Sequence, residues 1–193
     1  SDLYPSAKGL SVKTVSDLKI YPPHRYDFNT TGDTTRYAYE GGVSSSPGLN
    51  EPNGTTVDTS KIADDDGIYE QTASVSDGEY AAQRFVFTLK ESAANIEKLA
   101  VTWDGTSSHD NASADQGATT YIWKSGTGYQ TLSGAITSGV SDYVVDGNVT
   151  VLVKQNAVQS SSGIPPAAKY SRLATDYVKL VVTHHNTNSK YTL

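Results

Sequence analysis

The stretch RFVFTLKESAANIEKLAVTWDG, residues 84–105, contains two runs in which apolar and polar residues alternate. The apolar members are Phe85, Phe87 and Leu89 in the first run and Leu99, Val101 and Trp103 in the second. A period of two is typical of β-strands, because successive side chains point to opposite faces. The link ESAANIE is shorter than the dozen or more residues that a parallel crossover needs, so it favours antiparallel strands. The stretch therefore predicts a scaffold, and any chemistry is expected elsewhere.

Further strand patterns follow at short intervals along the chain. YDFNTTGDTTRYAYE and TDYVKLVVT alternate, TTYIWK and YQTLSG flank the turn SGTG, and DYVVDGNVTVLVKQN carries an Asp-Gly turn signal between apolar runs. Residues 41–60 are almost entirely Gly, Pro, Ser, Asn and Thr and predict a long exposed loop. Short strands with polar turns and almost no helical pattern predict an all-β fold, an antiparallel two-sheet β-sandwich of jelly-roll-like topology.

The 193 residues fit one domain, and a folded domain of this length buries roughly 70% of its unfolded surface, so it needs no disulfide. Residues 1–22 are expected to form a separable extended segment that ends at Pro22 and Pro23, which cannot donate to a strand ladder and therefore interrupt it. The sandwich is predicted at 23–185, followed by a tail at 186–193. The extended segment alternates loosely, and its apolar members are Leu10, Val12, Val15, Leu18 and Ile20.

Composition excludes several classes of function. The net charge is −6 and no run of Lys or Arg forms a positive face, so nucleic-acid binding is not expected. No apolar stretch reaches the roughly 20 residues of a membrane span, so no membrane insertion of the mature chain is expected. The absence of methionine, even at position 1, is expected of a processed chain or an excised fragment, and with no cysteine the chain has no disulfide or thiolate site.

Four N-x-S/T sequons occur in turn-like sequence, where a glycosyltransferase would reach them in an exported protein. The acceptor residues are Asn29, Asn53, Asn111 and Asn148.

A family resemblance rests on the order of six segments: YDFNTTGDTTRYAYE, IADDDGIYE, AAQRFVFTLKESAANIEKLAVTWDG, YIWKSGTGYQTL, DGNVTVLVKQN and TDYVKLVVT. Over roughly residues 24–183 this order resembles the jelly-roll-like β-sandwich modules of archaeal (methanogen-type) and bacterial cell-surface and secreted proteins. The resemblance implies a non-catalytic part of a surface protein. It does not supply a ligand.

Motifs of the common enzyme classes are absent from the sequence, including G-x-S-x-G, H-E-x-x-H and the P-loop. His184 and His185 are adjacent on the last strand and are expected to face opposite sides, so they are not expected to share a metal. The acidic turn DDDG and the following Asp-rich loop are candidates for a structural calcium site, because loop carboxylates supply the hard oxygens that calcium prefers. The candidate ligands are Asp64, Asp66 and Asp110, and the alternative is a solvated acidic turn.

Aromatic residues offer a second candidate site. Tyr121 and Trp123 share one face of a predicted strand and Tyr129 lies across the turn, so the three could form a flat platform for sugar rings. Packing between the sheets, with Ile122 outward, is the alternative, and it is favoured for Trp123 and more strongly for Trp103.

These observations predict a non-enzymatic, extracellular or cell-surface structural protein that self-associates into a filament or coat. Residues 3–20 would complete the sheet of a neighbouring copy by main-chain hydrogen bonding, or else add a strand to their own sheet. A carbohydrate-binding module with a glycan partner is the second hypothesis. A glycan hydrolase, which needs two carboxylates in one cleft, is the third.

Overall fold

The structure is a computed structural model that describes residues 21–29, 36–72, 75–109, 117–160 and 170–185. Several residues with predicted roles lie outside these ranges: Leu10, Val12, Val15, Leu18, Ile20, Asp110 and Asn111.

The described residues form ten strands in two antiparallel sheets, which confirms the all-β sandwich. The strands are β1 His24–Asp27, β2 Arg36–Val43, β3 Thr55–Thr56, β4 Glu70–Gln71, β5 Tyr80–Thr88, β6 Ile96–His109, β7 Ala118–Lys124, β8 Gly128–Thr131, β9 Asn148–Gln155 and β10 Ser171–His184. Three short 3-10 turns lie at Thr59–Lys61, Ala93–Asn95 and Val140–Tyr143. In the described ranges, no helix is long and apolar enough to cross a membrane.

Sheet A is built around β10. The long strand β6 pairs with β10 along one side, and the short strands β1 and β4 pair with separate parts of its other side. Sheet B has the order β3-β2-β5-β9-β7-β8. From β1 to β6 the chain alternates between the two sheets: β1, β4 and β6 belong to sheet A, and β2, β3 and β5 belong to sheet B. The hydrophobic core lies between the two sheets.

The opening stretch of sequence forms two strands, as its alternation predicts, but they belong to opposite sheets. β5 pairs with β2 and β9 in sheet B, whereas β6 pairs with β10 in sheet A. The link between them contains the 3-10 turn Ala93–Asn95 and crosses from one sheet to the other. The stretch is therefore an arch over the edge of the sandwich.

The core lies where the inner faces of the sheets meet. Phe85 and Phe87 of β5 are fully buried, and Phe28 packs against both rings. Leu180 and Val182 of β10 reach the same cluster from sheet A. Each buried side chain of this size contributes about 1.5–3 kcal/mol to folding.

The turn before β9 confirms the Asp-Gly signal. Asp146 and Gly147 both adopt positive φ values, of 50° and 77°. Val145 and Asn148 exchange backbone hydrogen bonds of 2.9 and 2.8 Å across them. Glycine has no Cβ to clash in the left-handed region, so the turn closes tightly and sets the register of β9.

A β-bulge interrupts β10 at Asp176. Thr175 pairs with Gly105, and Tyr177 pairs with the adjacent Asp104, so Asp176 has no partner across the ladder. An extra residue shifts the phase of the alternation. Consequently the inward residues are odd-numbered before the bulge, such as Leu173, and even-numbered after it.

Candidate functional site

The outer face of sheet B carries the aromatic residues singled out in the sequence. Ile122 points inward and is buried in the main core, so Tyr121 and Trp123 point outward from the same strand. The expectation that Trp123 fills the space between the sheets is therefore wrong. Tyr129 pairs directly with Trp123 and shares this outer face.

The three aromatic residues do not form a flat platform. The rings of Trp123 and Tyr129 have centroids 5.0 Å apart and planes at 84°, an edge-to-face contact. Tyr121 lies opposite Leu152 of β9 and packs with Tyr129 against a small second core on this face. The buried members of that core are Val43, Ala82 and Leu152.

The loop of residues 44–54, named the covering loop below, explains why a second core exists. Arg84 Nε donates a 2.9 Å hydrogen bond to the Pro52 carbonyl, and the Tyr129 hydroxyl donates one of 3.1 Å to the Leu49 carbonyl. Most of the covering loop is exposed, but Pro52 is buried against the sheet. The predicted exposed loop at 41–60 is therefore shorter than expected, because 41–43 belong to β2 and Thr55–Thr56 form β3. Because this loop covers the outer face, the side chains of β9 are buried on both faces of the sheet.

Two buried cations lie beneath the covering loop. Arg84 is 5% exposed and Lys154 is 8% exposed. The Arg84 guanidinium stands 4.4 Å from the Tyr39 ring centre, and the Lys154 ammonium stands 4.4 Å from that of Tyr80. Within the described part of the chain, neither cation has a carboxylate at ion-pair distance.

Burial lowers the pKa of both cations, because a low-dielectric environment disfavours the charged form. Nearby Tyr129 and Tyr39 partly offset this effect for Arg84. A buried charge costs several kcal/mol in desolvation, whereas a cation–π contact returns about 2 kcal/mol when desolvated. The cation–π contacts therefore offset only part of the desolvation cost of Arg84 and Lys154.

A cavity of about 250 Å³ opens beside Lys154. It lies between the covering loop, the β7–β8 turn and the outer face of sheet B. Its lining combines hydroxyl groups, aromatic rings and one ammonium group: Ser45, Ser46, Pro47, Tyr121, Thr127, Gly128, Tyr129, Leu152 and Lys154. Trp123 does not line it.

An acidic cluster forms at the bulge of β10. Carboxylate oxygens of Asp65, Asp104 and Asp176 lie within 4.8 Å of one another. Of the two described calcium candidates, Asp64 accepts a hydrogen bond from the Asn29 amide and Asp66 accepts one of 2.9 Å from the Ile68 backbone, and neither joins the cluster.

The sequence prediction named the acidic turn of this cluster but missed Asp176. Asp176 lies in a strand and not in a loop, so the presence of an aspartate there does not by itself indicate a metal site. The phase shift between Leu173 and the even-numbered Val178 and Leu180 is the sequence feature that would have indicated the bulge.

His24 of β1 and His184 of β10 share the Glu91 carboxylate, whereas the adjacent His185 pairs with another carboxylate. Glu91 Oε1 lies 2.8 Å from His24 Nδ1 and 3.7 Å from His184 Nε2, whereas His185 pairs with Glu97 at 3.0 Å. Burial alone would raise the pKa of Glu91, but hydrogen bonds from Tyr26 and His24 outweigh it and hold the pKa below its ordinary value. His184 and His185 therefore contact different carboxylates.

Three cavities lined by described residues bear on the hydrolase hypothesis. The first lies beside Lys154, the lining of the second includes Glu91, His184 and His185, and the third lies around Ile136. Glu91 is the one carboxylate that lines any of them. The paired carboxylates that this hypothesis needs are not found in these cavities.

The described sequon asparagines differ in their surroundings. Asn53 is exposed at the end of the covering loop. The Asn29 amide donates to Asp64, and the Asn148 amide donates to the Asp146 carbonyl at 3.1 Å while its oxygen accepts from Thr88. Asn53 is thus the most accessible acceptor of the three.

In the described part of the chain, the outer side of β6 is an open sheet edge beyond Leu99. Leu99 exchanges backbone hydrogen bonds with Ile136 on the side away from β10. Backbone groups alternate between the two sides of a strand, so those of Val101, Trp103 and Gly105 point to this side as well. Among the described residues, these three have no backbone partner there.

Trp103 packs beside this open edge. Its ring is half-buried against the main core, and Nε1 donates a 2.8 Å hydrogen bond to Thr175 Oγ1. The indole covers Gly105, where an added Cβ would collide with the ring and with the Ala174 carbonyl. Trp103 thus closes the core at the edge, in agreement with the packing role expected for it.

Comparison with protein families gives one result for the sandwich. Residues 33–184, more than half of the chain, match the AF_1625_C family, described as "Uncharacterized protein, C-terminal domain". The chain belongs to this family. The AF_1625_C match includes β2 through β10, and with them the covering loop and the open edge of β6. Comparisons with curated proteins and with solved structures give no match.

Proposed function

We propose that this AF_1625_C domain is a non-catalytic structural module of an extracellular or cell-surface assembly, such as a filament or coat. In this assembly, residues 3–20 of one copy add a strand to sheet A of its neighbour. The observation that carries the proposal is the open edge of β6 at Val101, Trp103 and Gly105. An unpaired row of N–H and C=O groups is a template for a further strand.

The sequence before β1 supplies a suitable donor. Its apolar residues recur at spacings of two, as in Leu10 and Val12 or Leu18 and Ile20, which is the spacing that directs side chains to one face of a strand. Strand addition draws affinity from main-chain hydrogen bonds and specificity from alternate side chains. Half-buried Val101 and Trp103 provide an apolar surface beside the edge for such side chains.

The first test measures the solution mass of the full chain and of a variant that lacks residues 1–20. The variant keeps every described strand, because β1 begins at His24. The proposal expects concentration-dependent assemblies of the full chain and a monomeric variant. Monomers in both cases at high concentration would show that residues 3–20 do not join copies.

A second test locates the edge. A synthetic peptide of residues 1–20 is added to the shortened variant, and amide hydrogen exchange is followed. The amides of Val101, Trp103 and Gly105 are expected to become protected. Those of Thr102 and Asp104 face β10, so they serve as the matched control and should be protected with and without the peptide.

Carbohydrate binding is the second candidate function, and the cavity beside Lys154 favours it. Its lining of hydroxyl groups and tyrosine rings suits a sugar, whose apolar ring face packs on aromatic surfaces. A glycan array compares the full chain with Tyr121→Ala, and with Tyr37→Ala as a control on an exposed tyrosine of the same sheet. Specific signals that only Tyr121→Ala loses would support the function. Identical patterns for all three proteins would contradict it.

A further inference from the structure

Lys154 is a buried cation at the wall of a cavity in an acidic protein. Its side chain extends from the outer face of β9 beneath the covering loop and lines the cavity. The net charge of the chain is −6, and yet no carboxylate among the described residues pairs with this ammonium group. Lys154 therefore places a positive charge at the cavity wall without an acidic partner among the described residues.

The internal partners of Lys154 leave donor capacity unused. An ammonium group has three N–H donors. One is directed to the Ser45 carbonyl at 3.2 Å, and the rings of Tyr80 and Tyr121 lie 4.4 and 5.6 Å from the charge. A carboxylate in the cavity would satisfy the remaining donors with charge-assisted hydrogen bonds, which are about twice as strong as neutral ones.

The walls of the cavity are joined to the sheet by hydrogen bonds and by packing. The covering loop is tied to the sheet through Arg84 and Tyr129, and the floor is Leu152 of the second core. A volume of about 250 Å³ is smaller than the roughly 300–1,000 Å³ typical of sites for drug-sized ligands. This size suits one sugar ring rather than an extended chain.

We propose that this cavity binds a uronic acid, with the sugar carboxylate paired to Lys154 and the pyranose ring against Tyr121 and Tyr129. The inference rests on the second candidate function and adds the class of sugar. Ser45, Ser46 and Thr127 also line the cavity, and their hydroxyl groups are of the kind that bonds sugar hydroxyls. An acidic peptide would match the charge, but it would make less use of this hydroxyl-rich lining.

The test uses the full chain and matched ligands in a calorimetric titration. The ligands are D-glucuronate and D-galacturonate, their methyl esters, and D-glucose and D-galactose. Methyl esterification removes the charge and leaves the sugar ring unchanged. At least one uronate is expected to bind, and its methyl ester and the neutral sugar are each expected to bind at least about tenfold more weakly.

Lys154→Met removes the charge from a side chain of similar length and should weaken uronate binding by at least about tenfold. Lys98→Met removes the same charge from an exposed position in the opposite sheet and should leave the affinity unchanged. Because Lys154 is desolvated and lacks an acidic partner, Lys154→Met is expected to melt no lower than the parent. The methyl-ester comparison needs no variant and tests the charge even if Lys154→Met does not fold.

Three outcomes would overturn the inference. They also distinguish failure of the uronate proposal from failure of carbohydrate binding in general. Equal affinity for uronates, esters and neutral sugars would exclude the charge pairing while leaving glycan binding in place. No binding of any sugar, with a blank glycan array, would remove both. Binding of an acetylated Asp-Glu peptide through Lys154, without binding of a uronate, would assign the cavity to an acidic peptide instead.

Discussion

The buried carboxylate of Asp176 accepts a 3.1 Å hydrogen bond from the backbone N–H of Gly67, which ties the acidic turn to the bulge of β10. The Asp66 N–H donates to the same carboxylate at 3.3 Å. Asp176 is only 2% exposed, so these two donors replace water around its charge. The bulge matters because it directs this side chain to the turn instead of into the ladder.

We predict that Asp176→Asn lowers the free energy of unfolding by about 1–2 kcal/mol. Hydrogen bonds to charged groups contribute about 1.5–3 kcal/mol, and those between neutral groups about 1 kcal/mol. The measurement is urea denaturation in the presence of EDTA. Asp104→Asn is the control, because Asp104 belongs to the same cluster but is exposed. It relieves repulsion among the carboxylates and should cost nothing, so equal losses for the two variants would contradict the role of Asp176.

Gly105→Ala should destabilise the open edge of sheet A. The added Cβ would overlap the Trp103 ring and the Ala174 backbone carbonyl, so both the indole and the backbone of β10 must shift. Overpacking of this kind costs about 1–3 kcal/mol. The change is measured by chemical denaturation followed by tryptophan fluorescence. Gly134→Ala is the matched control, since nothing lies within 4 Å of the Cβ at that position. A neutral Gly105→Ala would contradict the close packing of the Trp103 ring and the Ala174 carbonyl against this glycine.

The fold could be predicted from the sequence because its strands alternate and its turns carry strong local signals. The alternation in β5 predicts that Phe85 and Phe87 face the core, and both are buried there. The Asp146–Gly147 turn lies where the sequence indicates. Pairing could not be predicted in the same way. A short link such as ESAANIE suits both a hairpin within one sheet and an arch between two sheets, and only long-range packing selects the arch.

The candidate site was less predictable because alternation does not say which face is inward. Tyr121 and Trp123 share one face of β7, as predicted. That face points outward, because Ile122 on the opposite face is buried in the core. Lys154 gave no signal of its own, since a lysine in a strand is usually solvated. Its burial depends on the covering loop, which is more than 100 residues earlier in the sequence and whose composition predicted only exposure.

Glu40 should make stability depend on pH. It is buried on β2, and burial followed by repulsion from Glu70 raises its pKa above the ordinary value of 4.5. A raised folded pKa means that its contribution to stability is fully present below pH 4.5 and is lost as the pH rises through the folded pKa. Glu40→Gln cannot ionise and should lack this loss. Melting temperatures of the two proteins are compared from pH 4 to pH 8, and parallel curves would contradict the prediction.

Glycosylation should be concentrated at Asn53 if the chain passes through a secretory pathway that modifies N-x-S/T sequons. Asn53 is exposed on the covering loop, whereas the Asn148 side chain is engaged by Thr88 and Asp146. A glycosyltransferase must reach a free side-chain amide, so Asn148 would have to break both hydrogen bonds. Intact-mass measurement of the protein secreted from a eukaryotic host is expected to show a glycan that Asn53→Gln removes and Asn148→Gln retains. Modification of Asn148 to the same extent as Asn53 would contradict the prediction, because only an unfolded chain presents Asn148 as freely as Asn53.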